Sequence, residues 1–421
     1  MARRGISGGK INNENMKSSK NRLKAEEAKE KKAAFGPDID LNAFLDDTPE
    51  HGYLPDVSEL PGDKKESMLS VGVDADEKDR SGTFVQMDHS VVHSSSKQEG
   101  IEILGADEAL KKYGWLSDYW WKAVDVGADK YTAQAELKHK KGYFIRADVG
   151  VKSKFPVQAC LYLDKENLAQ NVHNIIIAEE GAELNIITGC TTAPRIGSGI
   201  HIGISEFYVK KNAKVTFTMI HNWGEEIVVR PRSVIIVEEG GTFISNYVCM
   251  KKTKSLQMYP TVHLNGKNSL ARLNSIIVAP RDSEMDVGSR VMLNEEGARA
   301  EIVSRAITTG GKIIARGHLA GNAKNIKAHL ECRGLILSDE GAIHAIPELE
   351  GHVKNIDMSH EAAVGKIAQD EIEYLMARGL AEDEATSIIV RGFLNVGIEG
   401  LPPQLKYEID RVISSSDVKG M

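Results

Sequence analysis

A mainly β fold, built as a parallel β-helix between helical end regions, is what this sequence predicts, and three observations carry the prediction. From about Lys141 onward helical periodicity vanishes, and short β-branched runs such as IIIAEEGAELNII (175–187), VIIVEEGGTFISNY (234–247) and VMLNEEGARAEIV (291–303) recur. Their turns fall at Gly181, Asn212, Gly240, Asn268 and Gly297, roughly thirty residues apart, which is the period of stacked repeat units. One such unit cannot bury its own apolar face, whereas successive rungs bury each other's. A β-sandwich is the competing all-β architecture and would want hairpin-like alternation at closer spacing. The predicted division is an N-terminal helical and extended region (1–140), the β-helix core (141–358) and a C-terminal helical cap (359–421).

The N-terminal region opens with a polar basic lead, followed by the alternating-charge segment NMKSSKNRLKAEEAKEKKAAF, expected as a solvated helix or a docking arm. Residues 51–100 mix Pro, Gly, Ser and acidic residues around strand-like SGTFVQMDHSVVH, and read as an extended, loop-rich cover. GADEALKKYGWLSDYWWKAV then reads as a helix capped by Asp107, with Trp115, Tyr119, Trp120 and Trp121 docking it onto the main domain. At the other end helix is expected after Ser359. HEAAVGKIAQDEIEYLMARGL places Ile367, Ile372, Leu375 and Met376 on one face and stops at Gly379, AEDEATSIIVRGFLNV has an acidic first turn, and a third helix follows Pro402 and Pro403.

Composition narrows the function classes. A net charge of −7 argues against general nucleic-acid binding, which wants a basic face. Four cysteines with no CxxC pair fit a reducing interior better than a disulfide-stapled secreted scaffold. No secretory signal and no uninterrupted apolar segment of bilayer length is visible, so a cytoplasmic protein away from the membrane is expected. GSGIHIG (197–203) and TTGGKII (308–314) lack the Lys-Ser/Thr of a phosphate-binding loop, so the chain itself should not hydrolyse ATP. No GxGxxG follows a strand, and these residues do not say how any flavin would be held.

The chemistry concentrates between Glu331 and Gly365. Cys332, His344, Glu350, His352, His360 and Glu361 lie close in sequence, a thiol, imidazole and carboxylate set suited to iron, zinc or copper. The plain alternative is a set of strand-end polar residues around one buried thiol. His344 reads equally as a reserve ligand or as part of a hydrogen-bond network, and Glu350 and His352 as solvent-exposed loop residues. Cys160 and Cys249 lie in apolar runs and read as core.

Within that stretch GAIHAIP, SHEAAVGKI and YLMARGLAEDEATSIIVRGF, with ITGCTTAP (187–194) and MIHNW (219–223) upstream, resemble the SufB/SufD family of the SUF iron–sulfur cluster assembly system over about Tyr143 to Leu405. The resemblance implies a right-handed β-helix that serves as an assembly scaffold in complex with SufC, an ABC-type ATPase bound through the C-terminal helices. It implies that Cys332 carries the nascent, transient iron–sulfur cluster, with His360 and Glu361 as further ligands. It also implies that Cys190 receives sulfur from a donor protein, with Trp223 lining the route toward Cys332. Such a site, with one thiolate among weaker ligands, can release what it builds, whereas four thiolates would retain it.

Ser359 stands where the SufB branch commonly has Glu, and His221 where it commonly has Gln; the larger subunit's N-terminal extension is missing. This mixture suggests an undifferentiated member that pairs with itself as a homodimer. A SufD-like structural partner of the ATPase without cluster chemistry is the alternative. A polysaccharide-cleaving β-helix enzyme is disfavoured, because the acidic residues fall at turns.

Overall fold

The computed structural model describes residues 19–138 and 141–394. Two long sheets face each other, and the chain passes from one to the other at every corner, making a parallel β-solenoid of about 8 turns. The first sheet stacks Val157–Leu163, Glu183–Thr192, Lys214–Asn222, Thr242–Cys249, Leu270–Pro280, Arg299–Thr309, Lys327–Ile336 and Asp357–Gly365 in chain order. Each of these pairs in parallel with the next. The second sheet ends with Glu284–Leu293, Lys312–Gly321 and Ala342–Gly351, also parallel.

The corners explain the repeat seen in the sequence. Gly181, Asn212, Gly240, Asn268 and Gly297 all adopt positive φ, and Asn325 and Asn355 continue the series. Glycine and asparagine tolerate this left-handed conformation best. They also stack: a Cβ on Gly240 would lie 2.2 Å from Oδ1 of Asn212, and one on Gly297 would lie 2.3 Å from Oδ1 of Asn268. The glycines leave room for the asparagine side chains of the preceding corner.

Alternation along each strand sends one set of side chains inward. Register aligns these into rows across the first sheet. One row runs Ile186, Phe217, Ser245, Leu273, Ile302, Leu330 and His360. Leu330 reaches the opposite sheet, where a Cβ on Gly317 would come within 2.3 Å of it.

The region before residue 141 is not a separate cover. Gly82–Met87 pairs in parallel with Val157–Leu163 and forms a hairpin with Ser90–Ser96, while Ile101–Gly105 adds antiparallel to Tyr143–Ala147. Its alternating apolar residues supply a first rung, with Phe84 and Val85 fully buried. The segment before this hairpin covers its edge, the Leu54 amide donating to the Val92 carbonyl and the His93 ring bonding the Leu54 carbonyl. Residues 19–28 form a helix that docks through buried Ala25 and Ala28. The helix is thus the docking arm of the two alternatives, and strand-like SGTFVQMDHSVVH forms part of the sheets themselves in place of the expected loop-rich cover.

The expected aromatic helix is shorter, Ala106–Lys112, because Gly114 opens a 3-10 turn through Asp118. Gly105 is its N-cap, and Asp107 lies in the first turn instead. The four aromatics therefore do not share a helix face. Trp121 sits at φ 54° and is buried, its loop held by the Glu206 carboxylate, which accepts from the amides of Trp121, Ala123 and Val124.

At the other end helix does not resume after Ser359. Asp357–Gly365 is a rung of sheet 9 residues long, so the solenoid continues past 358. Parallel pairing with Lys327–Ile336 satisfies this backbone and overrides the helical pattern of HEAAVG. Helices then cover Gln369–Met376 and Glu382–Leu394, with Gly379 at φ 97° between them as expected. Val390 and Leu394 are buried in the main core, whereas Tyr374, Met376 and Ile388 are exposed. The helix expected after Pro403 lies outside the described residues.

Candidate functional site

Cys332 faces inward on the next-to-last rung of the first sheet. Its row runs Thr188, Met219, Tyr247, Ser275, Ser304, Cys332 and Ala362. The Ser275 and Ser304 hydroxyls are 3.1 Å apart, so the thiol ends a short polar seam in an otherwise apolar interior. Cys332 is 2% exposed, and burial pushes its pKa up to about 11; the neighbouring Glu331 charge adds to the rise and Arg305 opposes it.

His360 lies on the terminal rung, directly opposite Leu330. It therefore shares the inward face with Cys332, offset by two residues, with Cα atoms roughly 8 Å apart from ordinary strand spacing. Its imidazole is exposed. Glu361, one residue on, lies opposite Glu331 and faces outward, where its Oε1 accepts from Arg333 Nη2 at 2.8 Å. The three expected ligands thus divide between two faces of one strand pair.

His344 is not with them. It lies on the outward face of the opposite sheet, exposed, beside Phe35 and Arg316 along a surface groove. Glu350 and His352 are exposed as expected and pair with each other at 3.3 Å. Among the described residues no group of three His, Cys, Asp or Glu side chains is arranged to hold a metal ion. The described residues offer two donors on the face of Cys332, which is an incomplete ligand set for iron.

Cys190 is a strand residue of Glu183–Thr192, not a turn thiol. It faces inward, 1% exposed, and burial holds its pKa well above the ordinary thiol value. Gly189 before it faces Val71, whose side chain is so close that a Cβ would come within 2.3 Å. The Gly-Cys pair of the ITGC segment is therefore read as packing room for the N-terminal stretch. In register, Cys190 stands opposite His221, and His221 opposite Cys249.

His221 Nδ1 and the Tyr247 hydroxyl are hydrogen-bonded at 3.0 Å, and burial drives the His221 pKa well below the usual imidazole range. Trp223 is buried against His201 and His221, with ring centroids 4.9 and 5.5 Å away. It belongs to the Cys190 end of the interior. Its buried Nε1–H has no partner among the described residues.

Five strand steps separate Cys190 from Cys332, roughly 25 Å by strand spacing. Between them lies an interior cavity of about 40 Å³ open to water centres, lined by Met219, Tyr247, Ser275, Ser233 and Ser289 among others. That is room for a few waters. Tyr247, Ser275 and Ser304 escaped the sequence reading, yet a signal existed. Each lies seven residues beyond its corner residue (Gly240, Asn268, Gly297), as Cys332 lies seven beyond Asn325.

Residues 161–393 match the family model described as SUF system FeS cluster assembly, SufBD core domain. This chain belongs to the SufBD family. An iron-sulfur cluster assembly SufBD family protein of Methanothermobacter thermautotrophicus is 50% identical over 404 residues, covering 94% of this chain and 98% of that one. One of Archaeoglobus fulgidus is 52% identical over 356 residues (85% and 96%), and one of Staphylococcus haemolyticus 31% identical over 366 residues (84% and 78%). Membership implies a role in iron–sulfur cluster assembly. No helix among the described residues is long and apolar enough to cross a membrane.

Proposed function

We propose that this SufBD protein is the scaffold on which a nascent iron–sulfur cluster is built, with Cys332 as the anchoring thiol. The observation that carries this reading is the position of Cys332: inward-facing, one rung from a solenoid end whose terminal strand is exposed, with His360 on the same face. The cluster is cargo here. Cys332 and His360 supply two donors, and the remainder come from a second copy of the chain meeting this one at the same end. Isologous contact serves such sharing because one patch acts on both sides.

Cys190 is the sulfur acceptor in this scheme. Its thiolate attacks the outer sulfur of a donor's persulfide; the donor's S–S bond breaks and the donor leaves as a thiolate. The raised pKa of buried Cys190 makes it a poor nucleophile in the closed fold, so loading requires the site to open. A small-molecule thiol then attacks the Cys190 sulfur of the persulfide, forming a mixed disulfide and releasing sulfide, and a second thiol restores Cys190. The sulfide passes by the cavity at Tyr247 and Ser275 toward Cys332. A SufC-type ATPase binds the helix pair, where Tyr374, Met376 and Ile388 are exposed, and supplies the energy. This reading expects the protein to work in the cytoplasm.

Anaerobic reconstitution with iron and sulfide tests the reading. Wild type should develop a visible chromophore, and Cys332→Ser should abolish it. A chromophore unchanged in Cys332→Ser would favour the second reading, a structural partner of the ATPase without cluster chemistry. One observation supports that alternative: a single chain holds no three-ligand group among its described residues.

A further inference from the structure

The outward side chains of the last three strands of the first sheet form a continuous chain of ion pairs. Arg305 Nη2 lies 2.8 Å from Glu331 Oε1, and Arg333 Nε lies 2.6 Å from that same oxygen. Arg333 Nη2 then reaches Glu361 Oε1 at 2.8 Å. Register places like charges opposite one another, Arg305 facing Arg333 and Glu331 facing Glu361. Directly opposed like charges repel, so the diagonal pairs are what make this order stable. Side-chain exposure climbs along the chain from 9% at Arg305 through 15% and 43% to 55% at Glu361. The ladder has a fixed foot and a free top. Its foot is held from above by Phe393 of Glu382–Leu394, whose ring centre is 5.8 Å from the Arg305 guanidinium carbon.

We propose that Glu361 is a positioning residue, the top of a ladder through Arg333, Glu331 and Arg305 that holds the terminal strand, and with it His360, in register beside Cys332. The inference rests on the reading of Cys332 as the assembly thiol, but assigns Glu361 a different task from ligation. Its carboxylate faces away from that thiol. Among the described residues, Asp357–Gly365 pairs with one strand, Lys327–Ile336. Side-chain ties therefore carry an unusual share of its order. The stakes are high, since a slip of one residue would carry His360 to the outer face. Phe393 joins the foot of the ladder to the helix pair, so the same contacts connect that pair to the strand beside Cys332.

Three variants in the full chain separate positioning from ligation. Glu361→Gln keeps an acceptor for Arg333 and removes the carboxylate; Arg333→Ala keeps the carboxylate and removes the tie; Glu361→Ala removes both. Amide hydrogen exchange across 357–365, measured without iron, should be about two- to fivefold faster in Arg333→Ala and Glu361→Ala and unchanged in Glu361→Gln. Exchange in 299–309 serves as the check that the solenoid is folded. After anaerobic reconstitution, Arg333→Ala and Glu361→Ala should both lose chromophore, and Glu361→Gln should match wild type. The reverse ranking, with Glu361→Gln colourless and Arg333→Ala unaffected, would overturn the proposal in favour of ligation. So would unaltered exchange in both alanine variants. If wild type itself forms no Cys332-dependent chromophore, the scaffold reading fails, while the iron-free exchange data still decide the ladder.

Discussion

The two ends of the solenoid are built from similar strands and treated in opposite ways. At the start, Gly82–Met87 adds one more parallel strand, Ser90–Ser96 and Ile101–Gly105 then close the two sheets antiparallel, and residues 51–54 cover the hairpin's edge. Phe84, Val85 and Ile103 are buried there. At the finish, Asp357–Gly365 and Ala342–Gly351 have no further strand beyond them among the described residues, and Val364 is 41% exposed. An unpaired strand edge is a hazard that folds ordinarily cover. Among the described residues one end is open and the other sealed, a contrast that supports the proposed scaffold role of the open end, with Cys332 one rung inside it.

This contrast can be broken from the sealed side first. Phe84→Ala should cost about 3–5 kcal/mol of folding stability, because the cavity opens in packed core; chemical denaturation measures it. At the open end Val364→Glu should leave the stability of the single chain within about 0.5 kcal/mol. Its effect should appear in self-association, raising the dimer dissociation constant at least about tenfold, or about 1.4 kcal/mol. Sedimentation at several concentrations would detect it. An equal loss of folding stability at both ends would remove the distinction.

Thiol chemistry gives a finer test. Cys332 should be labelled by iodoacetamide before Cys190, which lies about five rungs deeper. With its pKa near 11, the Cys332 rate should keep rising about tenfold per pH unit through pH 10, where an ordinary thiol has levelled off. The sign follows from burial: raising pH produces the thiolate that burial disfavours. A plateau near pH 9 would mean the thiol meets solvent freely.

Much of this architecture was legible because it repeats. The Gly and Asn corners announced themselves, since few other residues tolerate positive φ. Cys332 and Cys190 stood out by type and by resemblance. What stayed hidden depends on facing. SHEAAV has helical residues, and only pairing with the preceding rung makes it a strand; that pairing is what sends His360 inward and Glu361 outward. His344 looked close in sequence to Cys332, yet a corner separates them and places them on different sheets. The N-terminal rung was missed because SGTFVQM pairs with residues more than seventy positions away.

The unlike ends also decide what kind of assembly can grow. Were both ends open, a solenoid could add its finish to the next copy's start, and stacking would have no natural stop. Here the start closes with antiparallel strands, and the segment at Leu54 covers part of the hairpin's edge. In the homodimer proposed above, one open finish meets another. That encounter would consume both edges at once, so growth would end at two chains. In that dimer the hairpin at Gly82–Ser96, far from Cys332, would be a chain terminator as well as a cap.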